Sequence, residues 1–312
     1  MKLTFEDIKK KSLELGFDDV GITDAEISED DINSYNEWIQ NKYQGSLKYM
    51  ENNLRCFPKD LFPGAKTVLI FITFYKQPPV EKKEYLIASY ARGKDYHHLH
   101  RKRLKRFIHW LESITQQKNI AKGFSDSTPI LEKALAVKAG LGWFGKNTLL
   151  IHRRFGTYTL LSGIVTSLDI PFEKTPNLRL PKCGVCQKCL DACPTKAFIS
   201  PYLLDATKCL SYHTIESKEE IPDFVKQANP GYIFGCDICQ EVCPHNVRPP
   251  LSLQEHFKEE NGVGKTITLE KLIELEANPT KLFGTPLQRR GVTGLRKTYQ
   301  SLKSEKSFSN SP

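Results

Sequence analysis

The sequence predicts an α+β protein in which a mixed helix-and-strand region precedes a small cysteine-rich module and a short helical basic tail. Apolar runs of helical and of strand character occur over the first half of the chain. Eight of the nine cysteines fall between residues 183 and 243, and a basic stretch follows them. We therefore expect three domains, covering residues 1–175, 176–250 and 251–312, and 312 residues suffice for more than one buried core.

Each element has a local signal in the sequence. Thr4 and Asp7 form a capping pair that begins a helix over residues 4–15, and Gly16 ends it. The run "TVLIFITFY", residues 67–75, is β-branched and aromatic, as in a buried strand. Further predictions are a helix from about 97 to 117, a helix in "ILEKALAVKAG" ending at Gly140, one strand or two over 156–170, and a short helix near 268–276 before the tail.

Positive charge is concentrated in two stretches. The chain carries +9 overall, and residues 90–106 and 281–306 each carry a net +6. Such stretches favour binding to a polyanion, because neutralised phosphates release their counterions. A solvated helix face and a basic tail would give the same pattern, so charge alone leaves both interpretations open.

The cysteines are expected to bind metal in a reducing compartment. The N-terminal residues lack the apolar core of a signal peptide, and no apolar run is long enough to cross a bilayer. We therefore expect a cytosolic protein without membrane attachment. There, clustered thiols bind metal or do redox work more often than they form disulfides.

The stretch "CGVCQKCLDACP" has the cysteine spacing of bacterial ferredoxins, and "GCDICQEVCP" supplies most of a second run. The spacing predicts a ferredoxin-like module with two [4Fe–4S] clusters. One cluster is assigned to Cys183, Cys186, Cys189 and Cys243, and the other to Cys193, Cys209, Cys236 and Cys239. Two zinc sites are the alternative. Cys56 stands apart and is expected to be a packed thiol.

The stretch "GLGWFGKNT", residues 140–148, is one residue short of a phosphate-binding loop, since Asn147 replaces the Ser or Thr that binds Mg²⁺. A helix, not a strand, is predicted before it. We therefore expect a glycine-rich turn that lets the backbone approach a large flat ligand, and no nucleotide hydrolysis.

The combination of "DSTPILEKALAVKAGLGWFGKNTLLI", the first cysteine run, "CLSYHTIE" and "GCDICQEVCPHN" resembles the epoxyqueuosine reductase family. The likeness extends from "RCFPKDLFPGAKTV" to "PLQRRGVTGLRK". It implies an N-terminal α/β domain that binds cobalamin, two [4Fe–4S] clusters, and reduction of epoxyqueuosine to queuosine at the wobble position of tRNA, the last step of queuosine biosynthesis. An external low-potential donor would feed the clusters, and one cluster would reduce cobalt.

The same resemblance implies the site residues. Asp126 would be the general acid, a buried carboxyl whose pKa is raised by desolvation, and it would also contact the cofactor. A turn or helix-cap role is its structural alternative. Further cobalamin contacts would be Arg55, Tyr96, Leu150, Ser211 and Asp237, and phosphate contacts to tRNA would be Arg101, Lys102, Arg103, Arg289, Arg290 and Arg296.

Two features depart from the family pattern. His213 stands where an apolar residue is expected. Some family members carry a C-terminal helical-repeat extension; none is expected here, so the tRNA would be held by the core and the basic tail. The chain is expected to act as a monomer.

Three other functions are alternatives to epoxyqueuosine reduction. They are a reductive-dehalogenase-like reductase of a small molecule, a ferredoxin-like electron carrier, and a zinc-stabilised nucleic-acid-binding module.

Overall fold

The computed structural model describes residues 3–81, 85–173 and 182–308. The helices and strands follow one another along the chain as α1 (Phe5–Glu14), β1 (Asp19–Asp24), α2 (Glu29–Gln40), α3 (Pro58–Leu61), β2 (Thr67–Phe74), β3 (Leu86–Ile87), α4 (Tyr96–Thr115), β4 (Ala121–Phe124), α5 (Glu132–Lys138), β5 (Gly142–Phe144), β6 (Leu150–His152), β7 (Thr159–Thr166), α6 (Lys188–Asp191), β8 (Phe198–Ser200), β9 (Leu203–Leu204), α7 (Asp223–Ala228), β10 (Tyr232–Phe234), α8 (Ile238–Glu241), α9 (Leu269–Ala277) and α10 (Gly291–Phe308).

The chain divides into two compact units. The first consists of Met1–Lys42, Lys48–Phe74 and His97–Cys186, and the second of Tyr43–Leu47, Tyr75–Tyr96 and Gln187–Pro312. The three contiguous domains expected from the sequence remain a prediction, because the units are drawn differently and the proline-rich segment before the cysteine module lies partly outside the described residues.

The first unit contains an antiparallel sheet with the strand order β1-β2-β7-β4. All eight residues of β2 are buried, as expected for the β-branched and aromatic strand at the centre of a sheet. On β2, Ile70 lies opposite Gly21 of β1 and Gly163 of β7. A Cβ at Gly163 would lie 2.2 Å from the ring of Phe124, so only glycine lets β4 pack at this edge.

Helices α1 and α4 contribute to the main core of the first unit. The ring of Phe71 stacks on Phe17 with centroids 4.3 Å apart and meets Phe107 of α4 at 4.9 Å. Phe107 and Leu111 are fully buried, whereas the opposite face of α4 carries most of its charge. The core therefore fixes the rotation of α4 about its axis.

The second unit is built on the parallel pair β3 and β10 together with α9 and α10. Its core contains Ile87, Phe234, Leu272 and Leu295, all fully buried. The tail is thus a helix of 18 residues that is packed through Leu295 and Tyr299, longer and better packed than the short basic tail expected.

Several sequence predictions are confirmed. Thr4 and Asp7 form a capping box on α1, and Gly16 follows with φ +88°. The strand over 67–75, the helix over 97–117 and the helix near 268–276 correspond to β2, α4 and α9. The 156–170 region forms one strand, β7, and the helix before Gly140 begins only at Glu132. Among the described residues, no helix has both the length and the apolar character needed to cross a membrane.

Candidate functional site

The turn after β4 holds Asp126 in an unusual backbone conformation. The N–H of Ser127 donates to the carbonyl of Ser125 at 2.6 Å, so Asp126 is the central residue of a three-residue turn, with φ +51°. A non-glycine residue in the left-handed region costs about 1–3 kcal/mol and persists only where its surroundings impose it. Helix α5 begins at Glu132 without a side-chain cap from Asp126. The helix-cap alternative is therefore wrong, whereas the turn alternative agrees with the structure.

A buried histidine ties this turn to the sheet and to α4. His100 is fully buried, with Nδ1 2.8 Å from the hydroxyl oxygen of Ser125 and Nε2 3.0 Å from that of Thr73 on β2. Each ring nitrogen thus has a hydroxyl partner. The bridge fixes the residue immediately before Asp126 to the central strand.

The side chain of Asp126 points into solvent. It is 61% exposed, and its Oδ2 lies 3.1 Å from Nε2 of His97, one turn before His100 on α4. The expectation of a buried carboxyl at this position is therefore wrong. The reason is the left-handed turn, which directs the side chain away from the core while the main chain stays anchored.

Glu132 is a half-buried carboxyl of this region, and the sequence analysis missed it. The main-chain N–H of Asp126 donates to Oε1 of Glu132 at 2.7 Å. Burial raises the pKa of Glu132 to about 8, and the negative charge of Asp126 adds to the shift. In the sequence, Glu132 looks like an ordinary acidic residue in the first turn of a helix, so only the contact with Asp126 reveals it.

Arg55 lies under the same loop. It is 5% exposed, its carbonyl accepts the N–H of Leu131 at 3.1 Å, and its guanidinium donates to the carbonyl of Tyr49 at 3.2 and 3.3 Å. Its positive charge lowers the pKa of Glu132, opposing the effect of burial. Arg55 is thus a buried cation that supports the Asp126 loop, not a surface ion-pairing residue.

The other predicted cofactor contacts occupy different environments. Leu150 on β6 is buried, and Tyr96 is buried with its ring edge-on to Tyr90 at 6.2 Å. Asp237 is 1% exposed and accepts from the N–H of Ser89 at 2.6 Å and from the amide of Gln240 at 3.0 Å. Burial raises the pKa of Asp237. Ser211 is half-buried.

The glycine-rich stretch forms the turn between β5 and β6, as expected from its helical predecessor. Lys146 is buried and donates to the carbonyl of Gly184 at 2.7 Å. Because this lysine is committed to a main-chain carbonyl, it is not placed as the phosphate-binding lysine of a nucleotide loop.

In the cysteine module, two short helices carry equivalent cysteines. Helices α6 and α8 pack together and contain Cys189 and Cys239. Each is followed by a Cys-Pro pair, and Cys243 has the extended backbone that a following proline favours (φ −73°, ψ 123°). The two cysteine runs thus share a short helix followed by a Cys-Pro pair.

Five cysteines of the second unit are close enough to affect one another's pKa. Burial raises the pKa of Cys239, and Cys209, Cys189 and Cys193 raise it further as neighbouring thiols. Burial also raises the pKa of Cys236, with Cys239 and Cys209 among the further causes. Backbone N–H groups already point at sulfur, as that of Ala197 does at Cys193 over 3.3 Å. Neighbouring thiols with amide donors are the chemistry that an iron–sulfur cluster requires, although among the described residues no three potential ligands are yet drawn together around one point.

Cys183 and Cys186 belong to the first unit, where the N–H of Cys186 donates to the carbonyl of Cys183 at 3.0 Å. Cys56 is buried, and burial raises its pKa, as expected for a packed thiol. His213 is buried with Nε2 2.7 Å from the carbonyl oxygen of Thr207, so a main-chain contact accommodates it in an otherwise apolar setting.

The predicted phosphate contacts differ in their availability. Arg101 and Lys102 are exposed, whereas Arg103 is half-buried over the ring of Phe17 at 5.5 Å. In the second unit, Arg289 donates to Glu216 at 2.6 Å and Arg296 to Glu276 at 2.6 Å. Arg290 is half-buried and donates to the carbonyl of Ser217. The basic tail is thus largely occupied by internal partners.

Comparison with known families gives two matches. Residues 182–246 match the "4Fe-4S double cluster binding domain", and residues 55–127 match "Epoxyqueuosine reductase QueG, DUF1730". The first match confirms a double [4Fe–4S] module. How the eight cysteines divide between the clusters remains a prediction.

Individual relatives cover most of the chain. The epoxyqueuosine reductase of Leadbetterella byssophila is 40% identical over 262 residues, which are 82% of this chain and 84% of the relative. That of Escherichia coli is 35% identical over 302 residues, 91% of this chain and 76% of the relative. A crystal structure of an epoxyqueuosine reductase with an epoxyqueuosine-modified tRNA stem loop superimposes with a TM-score of 0.84 at 26% identity, covering 96% of this chain and 80% of the other.

Proposed function

The chain belongs to the epoxyqueuosine reductase family and is therefore an oxidoreductase, and we propose that it removes the epoxide oxygen of epoxyqueuosine at the wobble position of tRNA, giving queuosine. The observation that supports a reaction at Asp126 is its solvent-facing, left-handed turn, in which the main-chain N–H of Asp126 donates to Glu132. The tRNA substrate is supported by the relative that was crystallised with a modified stem loop.

The reaction requires two electrons and two protons. Both C–O bonds of the epoxide break, a C=C bond forms, and the oxygen leaves as water. When bound, the two [4Fe–4S] clusters supply electrons one at a time and cobalamin supplies a reducible cobalt centre. The two protons come from solvent, and we propose that side chains of this site deliver them.

The cysteines fit two clusters. Cys193, Cys209, Cys236 and Cys239 are proposed as the ligands of one cluster; thiols of this set lie near one another, and Cys189 of the other set lies near Cys239 as well. Cys183, Cys186, Cys189 and Cys243 are proposed as the ligands of the other. An external low-potential electron donor is proposed to reduce both clusters.

Cobalamin is proposed on the family resemblance. Of the residues expected to touch it, Ser211 is half-buried and Asp126 exposed, whereas Arg55, Tyr96, Leu150 and Asp237 are buried under other residues of the chain. All six residues are therefore proposed as cobalamin contacts on the family resemblance alone.

Asp126 is proposed to deliver a proton to the oxygen as the first C–O bond opens. Its exposed carboxyl can reach a substrate base, and His97 at 3.1 Å from Oδ2 orients it. A positioned acid of this kind contributes about 10²- to 10⁴-fold to a rate.

Glu132 is proposed to hold the second proton. With a pKa of about 8 it keeps its proton at neutral pH, and it contacts the main chain of Asp126 directly. Two neighbouring carboxyl groups can take different roles in a reaction when their environments give them different pKa values. The pair therefore accounts for both protons that the reaction consumes.

The experiment is nucleoside mass analysis of epoxyqueuosine-containing tRNA after incubation with anaerobically reconstituted protein and a low-potential reductant, with and without cobalamin. Loss of one oxygen from the modified nucleoside only when cobalamin is present supports the substrate, the reaction and the cofactor together. No loss, despite intact clusters and bound cobalamin, would overturn the tRNA assignment and favour a small-molecule substrate.

A further inference from the structure

A groove runs along the outer face of α4 and ends at the Asp126 turn. It lies between α4 and the strand β4 with its following loop, and its volume is about 410 Å³. Ser125 and Ser127, on either side of Asp126, line one end, and Glu112 lines the helix towards the other. The volume falls within the range of about 300–1,000 Å³ typical of ligand sites, so the groove is large enough for part of a nucleotide chain.

The helix side of the groove carries a straight row of basic side chains. His97, Arg101, Lys105 and His109 all line it, and each follows the previous one by four residues. Residues four apart lie on one face of a helix, with a rise of about 6 Å between them. The row therefore presents evenly spaced cationic groups, which suits a chain of repeating phosphates.

The two permanent cations of this row are available for a ligand. Arg101 and Lys105 are exposed, and within the described part of the chain neither has a hydrogen bond or an ion pair. The one carboxylate of the groove, Glu112, is already occupied, since it accepts from the N–H of Asn119 at 2.9 Å and from Lys118 at 3.4 Å. Arg289 and Arg296, by contrast, are paired with glutamates.

The groove leads to the reacting group. His97 belongs to the basic row and also lies 3.1 Å from Oδ2 of Asp126. The opposite wall offers the hydroxyls of Ser127 and Thr128, which suit sugar and phosphate oxygens. A strand that presents a base to Asp126 would thus place its neighbouring backbone along the row.

We propose that this groove binds the sugar–phosphate backbone of the RNA strand next to the modified base, with Arg101 and Lys105 as its phosphate contacts. The proposal rests on the proposed function. It places the main phosphate contacts to tRNA on one face of α4. The tail residues Arg289 and Arg296 then have a structural role.

The test compares two double variants that each remove one arginine and one lysine from exposed positions. Arg101→Ala/Lys105→Ala alters the groove, and Lys10→Ala/Arg106→Ala is the matched control, with Arg106 on α4 outside the groove lining and Lys10 on α1. The affinity of the cluster-loaded protein for an unmodified anticodon stem-loop RNA is measured over a range of salt concentrations. Circular dichroism and the melting temperature verify that both variants fold.

The groove variant is expected to bind RNA about 10-fold or more weakly, with the slope of log affinity against log salt reduced by about 1 to 2. The control variant is expected to change affinity several-fold less. Equal weakening by both pairs would indicate diffuse attraction and overturn the groove, as would unchanged affinity in the groove variant. Because the RNA is unmodified, this result is independent of whether the wild-type protein converts epoxyqueuosine, which the nucleoside analysis reports separately.

Discussion

The main-chain N–H of Asp126 donates to Oε1 of Glu132 at 2.7 Å, so an exposed and a half-buried carboxyl lie beside the same left-handed turn. Partial burial raises the pKa of Glu132 to about 8, while the carboxyl of Asp126 faces solvent beside His97. Because Asp126 and Glu132 are each proposed to supply one proton, replacing either residue should have its own effect.

Replacement of Asp126 with asparagine is expected to lower the single-turnover rate by about 10²- to 10⁴-fold, because the amide keeps the shape but cannot donate the proton. RNA affinity and iron content should not change. The measurement is the rate of oxygen loss from the modified nucleoside with saturating protein. A variant that retains the wild-type rate would show that the proton comes from elsewhere.

Glu132→Gln is expected to alter the pH profile. In the wild type the rate should fall as pH rises through about 8, where Glu132 loses its proton. The glutamine keeps an acceptor for the Asp126 N–H but has no proton to lose, so the variant should be slower and lack this alkaline limb. An unchanged limb in the variant would assign it to another group.

The same variant gives a stability test. The pKa of Glu132 is raised from 4.5 in the unfolded chain to about 8 in the folded one. Its contribution to stability is therefore fully present below the unfolded value and is lost as pH rises towards 8. The difference in free energy of unfolding between wild type and Glu132→Gln should fall across this window and level off above it. A difference that does not vary with pH would contradict the raised pKa.

His100→Ala is expected to destabilise the protein by about 1–3 kcal/mol or more, because it removes a buried ring and leaves the hydroxyls of Ser125 and Thr73 without that partner. The Asp126 turn loses its anchor, so the turnover rate should fall as well. Urea unfolding measures the first effect. His98→Ala, at an exposed position two residues earlier, is the control and should leave stability nearly unchanged.

Cys209→Ser is expected to lose one cluster, about four iron atoms per chain, because a [4Fe–4S] cube needs four thiolates. Cys56→Ser, at the isolated buried thiol, should retain all its iron. Iron and sulfide analysis of anaerobically reconstituted protein measures both. Full iron content in Cys209→Ser would require a different fourth ligand.

The sequence predicts those features that neighbouring residues encode. The Thr4 capping box, the buried strand β2 and the spacing of the cysteines each depend on residues close together in the chain, and the structure or the family match confirms them. The packing of α10 was less visible, because its basic residues obscure the buried positions of Leu295 and Tyr299.

The surroundings of Asp126 could not be predicted from the residues next to it in the sequence. Its exposure follows from a left-handed turn, and its contact with Glu132 depends on where α5 begins. Likewise, Arg103 is adjacent to two exposed basic residues in sequence but turns towards Phe17, because a helix places successive residues on different faces. These relationships are set by tertiary packing.

The most direct test of the central claim is the mass of the wobble nucleoside in epoxyqueuosine-containing tRNA before and after a single turnover with cofactor-loaded, pre-reduced protein, run beside the Asp126→Asn variant. The account predicts that the wild type yields queuosine, lighter by one oxygen, and that the variant leaves epoxyqueuosine essentially intact on the same timescale. Unchanged epoxyqueuosine with fully loaded wild-type protein would contradict it.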